Sequence, residues 1–538
     1  MKKLQPFGLS LLSGLLLFAS WPVLPFTFLI FIAWLPLLFT ASYAQKRLTF
    51  FLYSFITTLT WNACTTWWLW NSTDVGAIAA IVANSLIMTL PWWGYHIFKN
   101  KHGKTVGYFS LVVFIMLFEY IHLNWQLSWP WLTLGNVFAT HPSWVQWYEY
   151  TGTSGGTLWI VLVNILLFEA CLQLREKNSK KEKKYKILFA TVVGIFFPLI
   201  ISLIVSPGTE NANVIATGKP AANVVIVQPN IDPYDEKFNG STIAAQIQLF
   251  ISLSEQGIDS NTRLVVWPET ALPAGVWQQE FQNVQVYQPV FEFVKRHPYT
   301  MLVTGLETFE SYGSIKETKT ARYNEQDHTY YDVFNASVAI KANTPLQFYN
   351  KSKLVPGVET LPDFLLWMAP FFEQFGGSTG GYGRSTESAV FGSPNNGYVC
   401  APIICYESIY GEYVASYVKK GANILTVITN DGWWGNTPGH KQHLSYARLR
   451  AIETRKWVVR SANTGISAVI DKRGEIVATQ PWDKVAFIKA NVPTETGETF
   501  YVKYGDVLSK IASGFGVLLI AWNIVLIIKK RFAKQTKA

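Results

Sequence analysis

Eight apolar stretches constrain this chain more than any other feature. They fall at roughly 7–21, 24–43, 50–70, 76–97, 105–122, 156–174, 187–206 and 511–528. Most reach the ~20 residues an α-helix needs to cross the hydrocarbon core of a bilayer, while the first and last are short and rely on their flanks. In lipid the backbone finds no water to bond with, so spanning stretches of this kind must be helical. Composition agrees: only 15% of the 538 residues are charged, against about a quarter in a soluble protein. Met1-Lys2-Lys3 and the run Phe7 to Ala19 begin like a signal peptide. No small-x-small cleavage site follows, and a new apolar run starts at Val23, so the stretch reads as a retained first span.

The positive charge lies in short clusters beside the apolar runs rather than across a face. Lys2 and Lys3, Lys46 and Arg47, then Lys99, Lys101 and Lys104 flank the early runs; Arg175 to Lys186 and Lys529 to Lys537 flank the later ones. With eight spans, all of these fall on one side, and the opposite loops, such as Asn71-Ser-Thr-Asp74, are poor in Lys and Arg. The pattern predicts cytoplasmic termini and an extracytoplasmic stretch 207–510. It leaves the net charge of +10 no need of nucleic acid as a partner.

Residues 123–155 hold Asn124 to Trp131 and Trp144 to Tyr148 without a clean span. Interspersed Trp and Tyr predict an interfacial segment, an outer-leaflet loop or half-helix. The chain thus divides into a membrane part, 1–206, with seven helices, a linker, 207–222, an aqueous domain, 223–495, and a return segment with an eighth helix and basic tail, 496–538.

Within the aqueous domain the periodicity changes. Strand-like runs such as Asn223 to Gln228, Leu264 to Trp267, Met301 to Thr304 and Ile424 to Ile428 alternate with helical patterns at Ile243 to Leu253, Phe291 to Arg296 and Gln442 to Thr454. Such alternation predicts a layered α/β domain. Three chemically distinct groups stand out in it: Glu269 after Trp267-Pro268 and Cys405 after Ile403-Ile404 at strand ends, and Lys351 among the polar residues Asn350, Ser352 and Lys353. In layered α/β domains strand ends gather at one edge, where ligands bind. Of the four cysteines, Cys64 and Cys171 read as packing residues. Cys400 and Cys405, on opposite faces of one strand and ~16 Å apart, are too distant for a disulfide.

Pro268-Glu269-Thr270, then Lys351-x-x-Leu354-Val355-Pro356, then Cys405-Tyr406-Glu407, together with Asn430-Asp-Gly-Trp-Trp-Gly435, resemble the carbon–nitrogen hydrolase (nitrilase) superfamily. The flanking spans narrow the resemblance to its apolipoprotein N-acyltransferase family, over essentially the whole chain. The resemblance implies an αββα-layered catalytic domain with Glu269 as general base, Lys351 as oxyanion stabiliser and Cys405 as nucleophile. It implies Glu359 as the second glutamate, with Tyr406 and Glu407 as supporting residues. It further implies a membrane phospholipid as acyl donor, a diacylated apolipoprotein as acceptor, the inner membrane as location, a monomer, and no cofactor or metal. Two positions depart from the family pattern: Pro356-Gly-Val-Glu359 replaces Pro-Phe-Gly-Glu, and Phe238 or Tyr234 stands where the family has a tryptophan.

The chemistry is consistent without the name. A thiol attacks as thiolate and needs a base, and an ammonium can hold the developing oxyanion. Leu361 to Phe372, with Trp367, Phe371 and Phe372, is apolar, interrupted by Pro362 and Pro370 and too short to span; with the glycine-rich 376–383 it predicts a membrane-dipping lid. Trp433 and Trp434 are expected at the pocket mouth. His440 and His443 lack a third metal ligand, and Arg448, Arg450, Glu453 and Arg455 read as a salt-bridged or solvated helix face. The competing readings are a membrane-anchored amidase that uses water, and a transporter or scaffold with an inactive nitrilase-like domain.

Overall fold

The computed structural model describes residues 4–176, 180–208, 222–368, 381–392 and 397–535. The chain forms two compact units. One comprises Met1–Trp67, Ile78–Ile204 and Asp506–Ala538, and the other Trp68–Ala77 and Val205–Gly505.

The first unit is helical. Five of its helices are long and apolar enough to cross a membrane: Asp74–His102, Lys104–Asn124, Thr153–Arg175, Lys181–Val205 and Val507–Phe532. Their large outward side chains, among them Phe189, Leu203 and Ile204, stay exposed in the protein alone, which is the surface a bilayer would cover. The first apolar run is a helix of 17 residues, Leu4–Ser20. The third is Arg47–Thr66, whose inward face carries Ser54, Thr57, Thr58, Asn62, Thr65 and Thr66.

The second run, expected as one span over 24–43, is broken into a 3-10 turn, Thr27–Phe31, and a short helix, Leu35–Tyr43. Pro36 at the start of that helix cannot donate a backbone hydrogen bond to a preceding turn. Asn164 seals the break from the Thr153–Arg175 helix. Its Oδ1 accepts from Trp34 N at 2.9 Å, and its Nδ2 donates to Ile30 O at 2.9 Å.

The stretch 123–155, expected as an interfacial segment, forms short turns and helices. Pro130–Leu132, Leu134–Thr140 and Pro142–Trp144 are 3-10 turns, and Trp131, Leu134, Val137, Phe138, Trp147 and Tyr148 are buried inside the unit. A buried carboxylate holds this irregular backbone: Glu119 accepts from Leu134 N at 2.8 Å and from the Thr157 hydroxyl at 2.7 Å. Trp131 and Trp147 are core, whereas Trp125 is exposed and Trp129 and Trp144 are half-buried; internal partners satisfy the polar groups of the buried turns.

The second unit is layered. One sheet holds β1 (Ala222–Gln228), β2 (Thr262–Val266), β3 (Leu272–Trp277), β4 (Met301–Gly313), β5 (Arg322–Asn324), β6 (Thr329–Ile340), β7 (Gln347–Asn350) and β13 (Ala486–Val492). The other runs β12-β11-β10-β9-β8, from β8 (Cys400–Ile404) and β9 (Ile424–Thr429) at one edge to β10 (Val458–Ala462), β11 (Ala468–Ile470) and β12 (Ile476–Thr479). Side chains alternate across a strand, and the central strands are apolar on both faces. Val224 and Ile226 join Ile403, Leu425 and Val427 in the core between the sheets. Val225, Val227, Val265 and Trp267 face the Ile243–Gly257 and Gln288–Arg296 helices. The Gly411–Lys419 and Pro438–Thr454 helices add Val414, Tyr417, Leu444 and Ala451 to the first core. This is the expected αββα layering. Strands covered on both sides read as continuous Val/Ile runs rather than as alternating ones.

Replacing Asn164 by Leu should strand Trp34 N in the helical unit and leave Ile30 O with only long backbone bonds such as that from Ala33 N at 3.4 Å. We expect a loss of about 2–3 kcal/mol, read as a lower unfolding midpoint in detergent. An unchanged midpoint would show that Asn164 does not hold the break.

Candidate active site

The three residues singled out in the sequence come together. Glu269 lies three residues past β2. There Trp267 N still bonds Val303 O on β4 at 2.9 Å and Gly305 N bonds Pro268 O at 3.1 Å, so the strand register carries through to the carboxylate. The turn is tight. A Cβ on Gly305 would meet Thr270 N at 2.5 Å and Glu269 Cα at 2.7 Å, and Thr270 has φ 46°, an outlying value for a β-branched residue. Lys351 follows β7 directly, its N–H bonded to Asn335 O on β6 at 2.9 Å. Cys405 follows β8 directly, with φ 49°. The strand therefore turns sharply at the thiol, and the 3-10 turn Cys405–Ile409 begins there.

Lys351 is 1% exposed and Glu269 6% exposed. Lys351 Nζ lies 3.2 Å from Glu269 Oε1 and 2.8 Å from Glu359 Oε1. Asn335 Nδ2 donates to both carboxylates, at 2.8 and 3.1 Å. Asn430 N donates to Glu269 Oε2 at 3.1 Å, and Val355 N to Glu359 Oε2 at 2.8 Å.

These contacts fix the protonation states. Burial pushes the Glu269 carboxyl up, but Lys351, the Asn335 bond and Lys237 outweigh it, and the group lies below its ordinary value. Burial would lower the Lys351 ammonium, but Glu269 and Glu359 hold it well above its usual range. Burial pushes the Cys405 thiol far up; Glu269 adds to this and Lys351 opposes it. The resting site therefore holds a neutral thiol beside an ionised carboxylate.

Glu407, expected to support the site, does so through backbone. Its carboxylate accepts from Ile404 N at 2.9 Å, Ser352 N at 2.7 Å, Lys353 N at 3.2 Å, Tyr349 OH at 2.6 Å and Tyr417 OH at 3.2 Å. It thereby ties the residue before Cys405 to the residues after Lys351. Tyr406 is buried and packs edge-on against Tyr410 with ring centroids 5.3 Å apart.

Further residues hold the site that the motifs did not mark. The Cys405 carbonyl accepts from Ser408 Oγ at 2.7 Å and sits 3.2 Å from His443 Nε2. His443 Nδ1 is 3.0 Å from Asp431 Oδ1, and Arg460 Nη2 reaches Asp431 Oδ2 at 2.7 Å. Burial raises the Asp431 carboxyl, but Arg460 and His443 override it and hold the group far below its usual range. Lys237 is 2% exposed and donates to Glu269 O at 2.9 Å. One signal was available in the sequence: Arg460 interrupts the apolar strand Val458-Val-Arg-Ser-Ala462, and a charge there implies a buried partner. Asn335 and Lys237 carry no such mark.

Of the expected mouth residues, Phe238 stacks over Trp433 with centroids 6.5 Å apart, and Tyr234 meets Trp433 edge-on at 5.2 Å. Trp434 packs on Trp68 at 4.9 Å and on His443 at 5.5 Å. Asn71 Nδ2 donates to Trp434 O at 2.8 Å, so 68–77 belongs to the same unit as these tryptophans. Trp367 is 77% exposed beside exposed Phe364. Phe371 and Phe372 lie outside the described residues, as do 369–370 of the expected lid and 376–380 of its glycine-rich stretch. His440 stacks on Trp482 at 4.2 Å, and the described residues contain no cluster of three metal-ligating side chains. The arginines are structural rather than a solvated face. Arg450 bonds Glu453 at 2.8 Å and Ile409 O at 2.7 Å, and Arg448 bonds Glu475 at 2.9 Å.

A buried carboxylate, ammonium and thiol on a layered α/β domain is an arrangement suited to acyl transfer through sulfur. The carbon–nitrogen hydrolase family model matches residues 223–500, and the apolipoprotein N-acyltransferase N-terminal domain model matches 13–166. A Chlorobaculum tepidum apolipoprotein N-acyltransferase is 32% identical, covering 98% of this chain and 97% of its own. One from Geobacter metallireducens is 28% identical over 94% and 92%. A solved Nesterenkonia AN1 amidase of the nitrilase superfamily shares 14% identity, covering 55% of this chain and 98% of its own at a TM-score of 0.35, too distant to bear on the site. The chain belongs to the apolipoprotein N-acyltransferase family.

Glu407→Gln leaves one acceptor oxygen where two serve five donors. We expect a loss of about 2–4 kcal/mol and at least about a hundredfold loss of turnover, measured by thermal unfolding and single-turnover assay. A stable, fully active variant would show that Glu407 does not position the site.

Proposed function

We propose that Cys405 takes an acyl chain from a membrane phospholipid and passes it to the N-terminal amine of a diacylglyceryl-cysteine on an apolipoprotein. The observation that carries this reading is the buried Lys351 shared by Glu269 and Glu359 beside a buried thiol on a strained turn.

A resting thiol with a raised pKa and a carboxylate with a lowered one imply proton transfer during attack rather than before it. As Sγ bonds the ester carbonyl carbon, the S–H proton moves to Glu269. Negative charge builds on the carbonyl oxygen, where Lys351 Nζ stabilises it, with a backbone N–H near Tyr406 as second donor; one such donor is worth about 3 kcal/mol. The C–O bond breaks, Glu269 returns its proton to the departing lysophospholipid hydroxyl, and a thioester remains. The amine then attacks that thioester, Glu269 takes its proton, the C–S bond breaks and the thiol is reprotonated. The cycle is ping-pong and its residues require no metal or cofactor.

Glu359 holds Lys351, and Tyr406 and Glu407 fix the turn. Phe238, Trp433 and Trp434 offer apolar surface to an acyl chain, and Trp367, with Phe371 and Phe372, belongs to a lid that meets the bilayer. The loop charges support an inner-membrane location with a periplasmic catalytic domain and cytoplasmic termini. A monomer contains every residue the mechanism uses.

Supplied with labelled phospholipid and a diacylated lipopeptide, the purified protein should yield acylated peptide and lysophospholipid, and Cys405→Ser should yield neither. Free fatty acid without acylated peptide would replace this reading with the amidase one.

The base must be ionised, and its folded pKa lies below the ordinary 4.5. Thioester formation from phospholipid, the half-reaction that involves no amine, should therefore persist as pH falls to the ordinary carboxylate range and fail only below it. An acid limb near neutral pH in kcat/KM for the phospholipid would contradict Glu269 as the group with the lowered pKa. Lys351→Met should lower kcat by about 10²- to 10³-fold in the same assay.

A further inference from the structure

Lys237 is a second buried ammonium at this site, and no motif draws attention to it. In the stretch from Tyr234 to Ser241 every side chain is exposed except that of Lys237. The backbone is pinned to turn it inward. Lys237 N donates to Asp232 O at 3.0 Å, and Gln246 Nε2, from the Ile243–Gly257 helix, donates to Glu236 O at 3.0 Å and Lys237 O at 3.2 Å. Among the described residues, the one hydrogen bond of Nζ goes to the Glu269 carbonyl at 2.9 Å. That carbonyl enters the turn whose next residue, Thr270, has φ 46°.

A backbone carbonyl does not need a charged donor; a neutral amide would serve. Burying an ammonium costs several kcal/mol unless a counter-charge offsets it. The counter-charges are Glu269 at the end of β2 and, once ionised, Cys405 after β8. The carboxylates of its own segment, Asp232, Asp235 and Glu236, point to solvent. Lys351 shares Glu269, and Asp431, which also acts on Cys405, is matched by Arg460.

Charge counting then gives Lys237 a task. Glu269 and Glu359 carry two negative charges and Lys351 one positive. With Lys237 the resting site is neutral. It remains neutral when the proton moves from Sγ to Glu269, because that step only relocates one negative charge. Without Lys237 both states carry an uncompensated negative charge in a buried site.

We propose that Lys237 is a positioning residue of the acyl transfer: its ammonium holds the Glu269 carbonyl in the strained turn and supplies the charge that balances the second carboxylate. This rests on the roles given above to Cys405 and Glu269. Burial lowers the Lys237 ammonium to about 8, with Glu269 and Cys405 opposing the shift. The signs follow. Loss of the charge moves Glu269 up, since Lys237 contributes to holding it down, and makes thiolate formation at Cys405 harder.

The test is the pH dependence of Cys405 alkylation by iodoacetamide in the full-length protein in detergent, read by peptide mass spectrometry from about pH 6 to pH 9, a range through which thiolate content rises steeply. Cys64 serves as internal reference. In Lys237→Met and Lys237→Gln, checked for folding by thermal unfolding, Cys405 alkylation should be at least about tenfold slower at a given pH, with the curve displaced to higher pH and Cys64 unaffected. Lys237→Arg keeps the charge and should lose less. Should the Met variant not fold, the Gln variant decides. A wild-type curve in either folded neutral variant overturns the role of Lys237 alone. Wild-type protein that still turns over after complete Cys405 alkylation overturns the nucleophile, and this inference with it.

Discussion

Lys351 Nζ stands 3.2 Å from one buried carboxylate and 2.8 Å from another, and the surrounding fold answers the cost of placing them there. Each ion taken from water loses several kcal/mol of hydration, recovered only if its partners are close and its remaining lone pairs are met. Here they are met by groups from several parts of the domain: Asn335 from β6, Asn430 N from the turn after β9, and Val355 N from the loop after β7. β2, β6 and β7 of one sheet must be in register for the Asn335 bonds, and the second sheet must lie against them for the Asn430 bond. The cluster thus exacts stability from the fold and returns a fixed geometry, which lets an oxyanion be stabilised without reorganisation.

Backbone strain completes the arrangement. Two non-glycine residues at the site adopt positive φ, Thr270 next to the carboxylate and Cys405 itself. In each case a buried polar side chain bonds the neighbouring carbonyl. Lys237 Nζ takes Glu269 O, and Ser408 Oγ, with His443 Nε2 at 3.2 Å, takes Cys405 O. Strain of about 1–3 kcal/mol per residue persists only where the surroundings over-determine it. The Asp431–His443–Arg460 chain and the Glu407 carboxylate do this from two sides of the same turn. The thiol is thereby presented at a strand end while its own pKa stays high, so its reactivity comes from position and from the adjacent base.

Much of this was legible in the sequence. Val/Ile runs such as Val224 to Val227 marked strands covered on both faces, and the Glu269 and Cys405 motifs marked the ends of β2 and β8, while the short strand β7 before Lys351 left no apolar run to read. What escaped was long-range. Asn335 sits inside an ordinary strand and Lys237 in a polar loop, and only the fold shows that both turn toward Glu269. In the aromatic stretch 123–155, tryptophan serves equally at a bilayer surface and in a core, so the sequence did not show that Trp131 and Trp147 are buried or that Glu119 satisfies Leu134 N. The run 24–43 was read as one helix because its hydropathy is continuous, while Pro36 and the cap from Asn164 break it.

The central claim is that sulfur carries the acyl chain. It is tested most directly by the mass of the peptide containing Cys405 after the protein meets phospholipid with no amine present. The account predicts a gain of one acyl chain at Cys405, released by hydroxylamine and lost when a diacylated lipopeptide is added. Lysophospholipid formed while Cys405 remains unmodified throughout would contradict it.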